Sequence, residues 1–537
     1  MKYFYWTVFV FVLNSPRHIT ASQKKSCLAD QYRPQIHYSP KNNWLNDPNG
    51  MLYYKGEYHL YYQYYPYSTK WGPMHWGKVI SSDLTHWTEL PIALYPDKLG
   101  VIFSGSGVVD YRNSSGLAQN SKEDVIIAIF THDGTSQQQS IAFSNNRGKN
   151  YSKFDGNPVI PNPGIKDFRD PKVIRLNGKW IMTLAAGNKV IFYHSDDLKS
   201  WSLLSRRVRR REFYQRRRYK VRWRRRGFGA KPPQGSHGGV WECPDLLPIL
   251  FNGETLWVLL VSINPGGPNS GSATQYFIGD FDGTTFRSLY PGENNLLWMD
   301  WGPDNYAGVT FFNEPNNKNV LTGWMSNWLY ADVLPTLAWR GQFTFPRELH
   351  LRHIERQLRL ASVPTSELSR LRNPQQIYAP TNISLIPSGS IAVLTLGSPF
   401  QTALMEIDLT LNFDGLVSFG ICFFNSLAQE LCFGYAHVNQ KYFLDRTKSG
   451  NIGFHPEFSR RVTAARESRN KTIILKIFLD VSSIEVFADG GLTTMTALFF
   501  PDEPFTYAHI HHYAGSPGNR LDVKSATIQG LSSINDC

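Results

Sequence analysis

From about residue 33 to 345 the chain is built of short apolar runs rich in aromatic and β-branched residues, such as "EYHLYYQYY", "DVIIAIFTH", "KWIMTLAAG" and "TLWVLLVSI", separated by Gly, Asn, Asp and Pro. Runs of this length between turn residues predict strands, and almost no helical periodicity lies between them. A weak repeat punctuates them: "SSDLTHW", "SNNRGKNY", "SDDLKSW" and "GDFDGTTF", each a polar turn closing on an aromatic. The closing aromatics Trp87, Tyr151, Trp201 and Phe286 fall 64, 50 and 85 residues apart, and the last interval becomes 64 once a 21-residue arginine-rich stretch is set aside. Multi-strand units of that size predict the blades of a β-propeller, with an all-β sandwich as the alternative. In a propeller the inner strands converge on one axial funnel, so side chains distant in sequence can meet there.

After "FTFPRELHLRHIERQLRLASVPTSELSRL" the texture changes. Residues 346–373 read as a connector with a short helix. From 374 to 537 apolar and polar positions alternate, as in "TIILKIFLDVSSIEVFADG", with fewer aromatics, which predicts a second domain, a β-sandwich. The whole is all-β, and a length of 537 residues fits two domains. The short link predicts a fixed interface between them.

Composition sharpens this in three places. Lys2, an apolar run from Tyr3 to Leu13 and small residues near Ala21 predict a signal peptide over 1–22, too short to span a bilayer, and hence a secreted protein with no membrane contact after cleavage. Asn113, Asn150, Asn382 and Asn470 open Asn-x-Ser/Thr sites that suit export. Five cysteines are too few and too scattered for a disulfide scaffold or a zinc site, and no metal or other cofactor is indicated. Cys422 and Cys432 flank a hairpin and are candidates to pair; Cys27 and Cys537 could pair or stay free. The net charge of +13 is local, because residues 206–226 hold 13 Lys/Arg and one Glu and leave only +1 elsewhere. That removes a general nucleic-acid or membrane function. The segment itself is open to three readings: a solvated loop, a gene-model error, or a weak polyanion contact.

The chemistry lies in three carboxylates. Asp47 sits in "WLNDPNG", Asp170 in "FRDPK" and Glu242 in "WECPDL", each followed directly or after one residue by proline, at the end or start of an apolar run. Alone, each reads as a capping or paired acid. Together, in an aromatic-rich all-β domain, they match glycoside hydrolysis, where one carboxylate attacks or stabilises an oxocarbenium-like centre and another protonates the leaving oxygen. Arg169 is placed to keep Asp170 ionised, and the apolar neighbours of Glu242 are placed to keep it protonated. Trp44, Trp71, Trp76 and Trp339 offer flat faces for sugar C–H surfaces, while Asn46, Gln63, Ser104 and Arg169 can hold hydroxyls.

The ordered strings "WLNDPNG", "YYQYYP", "WGPMHWG", "FSGSGVVD", "FRDP", "GVWECPDL", "WGPDNYAG" and "GWMSNW" resemble the motifs of glycoside hydrolase family 32, the β-fructosidases. The resemblance runs from about Gln35 into the C-terminal region, and its wording is nearer to microbial exo-inulinases and levanases than to plant invertases. It implies a five-bladed propeller over 33–345 followed by the sandwich, and hydrolysis of β-fructofuranosides (sucrose, inulin or levan) with retention. By motif position it implies that Asp47 is the nucleophile, Glu242 the acid/base and Asp170 the transition-state stabiliser held by Arg169. Asn46, Gln63, Trp71, Ser104 and Asp304 would line the subsite for the terminal fructose. A fructosyltransferase and a non-catalytic fructan-binding relative are the rival readings.

Overall fold

The computed structural model describes residues 30–119, 124–204, 235–291, 296–379, 381–386, 391–395, 403–513 and 519–535. The expected signal peptide, Cys27, Cys537 and the arginine-rich segment 206–226 lie outside the described residues.

Five four-stranded units form the propeller. The first holds Asn43–Tyr54, Glu57–Tyr65, His75–Ser81 and Thr88–Leu94; the second Val101–Asp110, Val125–Asp133, Gln137–Ser144 and Ser152–Lys153. Phe168–Leu176, Lys179–Ala186, Val190–Ser195 and Ser202–Leu203 make the third; Val240–Phe251, Glu254–Asn264, Ala273–Phe281 and Phe286–Ser288 the fourth. Tyr306–Thr310, Val320–Trp324, Arg347–Ile354 and Gln357–Pro364 complete the ring. Trp339–Arg340 pairs in parallel with the first strand, tying the last blade to the first.

The repeated polar turns lie between the third and fourth strands of blades one to four. In blade one the Leu84 amide donates to Ser81 Oγ at 2.8 Å, and the Thr85 and His86 amides to Asp83 Oδ1 at 2.9 Å. Blade three repeats this with Leu198 on Ser195 and with Lys199 and Ser200 on Asp197. A short side-chain acceptor thus takes the amides that a tight turn leaves without a strand partner, which is why the repeat shows in sequence.

The propeller ends at Pro364 rather than at residue 345. The two outer strands of blade five occupy much of the stretch read as a connector, and the link itself is the short 3-10 turn Ser366–Leu371. These strands bury Leu349, Leu351, Leu358 and Leu360 on one face. Their other face carries Arg, His and Glu against solvent, and that charge masked the two-residue alternation.

The second domain is a sandwich of a seven-stranded and a six-stranded antiparallel sheet. Its core includes Ile407, Phe419, Phe433, Leu444, Ile477, Val486 and Ile510. Cys422 and Cys432 face each other across one hairpin and form a disulfide.

Buried ions fix the two domains together. His37 meets Asp480 Oδ2 at 2.8 Å through Nδ1 and Glu485 Oε1 at 2.9 Å through Nε2. Arg347 reaches Glu485 at 2.5 Å and Asp300 at 2.8 Å. Burial alone would lower the His37 pKa, but its hydrogen bonds to the two carboxylates outweigh that and push it up to about 9. The folded protein therefore holds a proton that the unfolded chain releases near pH 6.5. The stabilisation, on the order of 3 kcal/mol, is complete below that pH and is lost as pH rises through about 9. Thermal unfolding should move to lower temperature between pH 6.5 and 9, and His37→Gln should flatten that slope. An unchanged slope in the variant would remove His37 from the account.

Candidate active site

One local feature recurs in the innermost strand of every blade: two residues face a single residue of the neighbouring strand. The pairs are 46 and 47 against 63, 103 and 104 against 131, 170 and 171 against 184, 243 and 244 against 261, and 307 and 308 against 323. Such bulges bend a strand and re-aim its side chains. Pro171 and Pro244, which have no amide proton to give a ladder, sit inside the bulges where pairing is already broken, and Pro48 directly follows its own bulge. Asp170 and Cys243 take left-handed φ values of 65° and 44° at the bulge. The bulges turn Asp47, Ser104, Asp170 and Glu242, from blades one to four, toward one another.

Ser104 Oγ donates to Asp47 Oδ2 at 2.6 Å, and Asn46 Nδ2 donates to Asp47 Oδ1 at 3.0 Å. Burial raises the Asp47 pKa, the hydrogen bonds from Ser104 and Asn46 oppose it, and the charge of Glu242 adds to the rise. Asp170 accepts the Cys243 amide at 2.9 Å. The Cys243 thiol lies 3.7 Å from Asp47 Oδ2 and 3.6 Å from Asp170 Oδ2, so it wedges between the two acids. Burial and the carboxylates push that thiol well up, which keeps it protonated. Glu242 is gripped at both oxygens: Arg169 Nε donates to Oε1 at 3.1 Å, and the Tyr306 hydroxyl donates to Oε2. Below the acids, Lys172 and Asp245 form a buried pair at 3.1 Å, and Asp245 also takes the Thr310 amide, locking three inner strands together.

The expected role of Arg169 needs correction. Its hydrogen bonds go to Glu242, Gln137 and Asp167, not to Asp170. Burial pushes the Asp170 pKa up to about 7 against the pull of Arg169, and the charges of Glu242 and Asp47 add to the rise. A charge there opposes folding, so stability falls as pH rises from about 4 through about 7. Asp170→Asn keeps an acceptor for the Cys243 amide and removes that burden. It should abolish turnover yet raise stability at neutral pH by about 1–3 kcal/mol. The gain should vanish near pH 4 in calorimetric melts; a variant less stable than its parent at both pH values would refute the reading.

The other expected site residues divide. Asn46 and Ser104 contact Asp47. Gln63 stands opposite the first bulge, buried, with no hydrogen-bond partner for its Nε2 among the described residues. Trp71 is 45% exposed and meets Phe103, the neighbour of Ser104, edge-on at 6.2 Å. Trp44 and Trp76 are fully buried and offer no face to a sugar. Trp44 stacks on Trp328, and its indole N–H fixes Asn46 at 2.7 Å; Trp76 donates to the Phe103 carbonyl. Trp339 is packed away among Tyr32, Met325 and Leu498. Asp304 does not join the acids: it is sealed in the domain interface, bound by Arg446 at 2.6 Å and Tyr330 at 2.7 Å. Tyr306, two residues on, is the member of "WGPDNYAG" that reaches the site. Neither it nor Cys243 was singled out from sequence, although both lie inside motifs that were.

Three convergent acids held by fixed donors at the hub of a five-bladed propeller, backed by a β-sandwich, define a glycoside hydrolase. The chain belongs to glycosyl hydrolase family 32: residues 37–364 match the model of the family's N-terminal domain and 367–529 that of its C-terminal domain. It is 42% identical over 515 residues to a levanase of Bacillus subtilis, covering 94% of this chain and 71% of that protein. It is 36% identical to an extracellular exo-inulinase of Aspergillus awamori, covering 94% and 95%. The crystal structure of exo-inulinase from Aspergillus awamori superimposes with a TM-score of 0.81 at 34% identity, covering 94% of this chain and 99% of that one. A β-fructofuranosidase from Schwanniomyces occidentalis complexed with fructosyl-erythritol gives 0.78 at 30%, covering 94% and 98%.

Proposed function

We propose that the protein is a secreted β-fructofuranosidase that removes terminal β-D-fructofuranosyl units from fructans and sucrose by double displacement. The observation that carries this is the meeting of Asp47, Asp170 and Glu242 at the bulges of three inner strands, each carboxyl already held by donors. In this reading Asp47 attacks the anomeric carbon of the terminal fructose and forms a fructosyl-enzyme. Ser104 and Asn46 hold its two oxygens so that attack needs no reorientation. Glu242 protonates the leaving oxygen and afterwards takes the proton of the attacking water, while Arg169 and Tyr306 keep its carboxyl aimed. Asp170 accepts hydrogen bonds from fructose hydroxyls as positive charge develops. Asn46, Gln63, Ser104 and Trp71 are assigned to the fructose subsite.

Secretion is supported by the extracellular exo-inulinase relative and the Cys422–Cys432 disulfide. Asn113, Asn150 and Asn470 are all exposed at their acceptor sites. The test is to follow sucrose, inulin and levan separately by proton NMR from the first seconds of reaction. Fructose released one unit at a time and appearing first as the β-furanose supports the reading. First appearance of the other anomer would overturn double displacement, and no release from any substrate would overturn the activity.

A further inference from the structure

The funnel end of blade one carries a file of aromatic rings that no step above uses. Across that blade, strand pairing sets Trp44 against Tyr65, Tyr64 against His75, and Trp76 against Leu94. These positions stand at the same end as Asp47 and step outward from the axis. Along them Tyr65 meets Tyr67 at 5.7 Å, Tyr67 meets His75 at 6.0 Å and His75 meets Tyr95 at 5.5 Å, all edge-on. The buried His75 is fixed by a 3.0 Å hydrogen bond to the Pro73 carbonyl, and it props up two tyrosines that are 74% and 53% exposed, Tyr67 and Tyr95. Lys153 of blade two binds the Tyr95 carbonyl and Asp97, both at 2.5 Å, and so anchors the outer end. At the inner end Gly72, next to Trp71, lies so close on the Tyr65 ring that an added Cβ would approach it to 2.5 Å.

Large rings held rigidly in solvent lose little freedom on binding, and their flat faces suit sugar C–H surfaces. Trp71 meets Phe103, the neighbour of the Ser104 that binds Asp47, and Gly72 beside Trp71 lies on the Tyr65 ring, so the file adjoins the wall of the acid site. We propose that Tyr67 and Tyr95 continue the site as an outer track for the units of a β-linked fructan chain that follow the terminal fructose, which makes the polymer rather than sucrose the favoured substrate. The choice of fructan rests on the β-fructosidase reading; the track itself rests on ring geometry and its continuity with the funnel.

The test compares the parent with a Tyr67→Ala/Tyr95→Ala double variant in the full chain. The ratio of kcat/KM on inulin to that on sucrose should fall by about fivefold to tenfold, mainly through KM on inulin. Calorimetric titration with inulin oligosaccharides, from trisaccharide to octasaccharide, with Asp47→Asn added to both parent and double variant, reads the track without turnover: affinity should rise with length in the former and level off in the latter. A ratio that holds within about twofold, or a rise with length that survives in the variant, would overturn the track. Were the parent to hydrolyse nothing, the hydrolytic reading would fall. Its length-dependent binding would then still uphold the track, and its absence would overturn it.

Discussion

Asp47→Asn should lower kcat by at least about 10⁴-fold while leaving the fold intact. The substitution keeps the shape of the side chain and loses the anionic oxygen that must bond to carbon. An amide has one oxygen where the Asp47 carboxylate has two, so one of the donors Ser104 and Asn46 would face an amide nitrogen. The folding cost of that mismatch is offset, because burial and the nearby Glu242 charge already make an ionised Asp47 unfavourable. The loss should therefore appear in kcat with little change in melting temperature. A second readout separates a nucleophile from a mere electrostatic aid. With an activated β-fructofuranoside, Glu242→Gln should accumulate a fructosyl adduct on the peptide carrying Asp47, since its second step lacks a base. Adding Asp47→Asn should erase the adduct. Activity within about tenfold of the parent, or an adduct elsewhere, would end the assignment.

The three convergent acids were legible in sequence because the physics that places them is local. A bulge in an inner strand needs a residue that tolerates broken pairing, and proline beside Asp47, Asp170 and Cys243 writes that need into the chain. The polar turns between outer strands are legible for the same reason: Ser81 and Asp83, or Ser195 and Asp197, satisfy amides within five residues. What failed were inferences about side-chain exposure. Trp44, Trp76 and Trp339 look identical to a sugar platform in sequence, yet their exposure depends on which neighbouring blade or domain covers them. Trp44 serves the site indirectly, by holding Asn46. Arg169 was paired with its sequence neighbour Asp170, but the bulge at Asp170 breaks the regular alternation of the strand, and the guanidinium's hydrogen bond goes to Glu242, 73 residues away. Likewise Tyr67 and Tyr95 gain meaning only when His75 is seen between them.

The fate of Asp304 supplies the sharpest contrast between a site residue and a structural one, and Arg446→Ala decides it. Arg446 is buried in the sandwich and spends its donors on Asp304 at 2.6 Å, the Leu498 carbonyl at 2.9 Å, the Phe458 carbonyl at 2.7 Å and the Tyr330 hydroxyl at 2.8 Å. Its guanidinium also lies 3.8 Å over the Phe458 ring. Removing it leaves the enclosed Asp304 carboxylate with, among the described residues, Tyr330 and the Leu498 amide for company. An abandoned buried charge of this kind costs about 3–5 kcal/mol. Because Arg446 and Asp304 come from different domains, the cost falls on their docking as well as on either fold. Melting of Arg446→Ala should thus occur well below the parent, with the sandwich and propeller transitions drawing apart in calorimetry. Turnover per folded molecule should stay near the parent value, since none of these contacts touches Asp47, Asp170 or Glu242. Loss of turnover with an unchanged melt would return Asp304 to the fructose subsite. Loss of stability with turnover kept would show that this buried ion pair maintains the domain interface behind the funnel and takes no part in the chemistry.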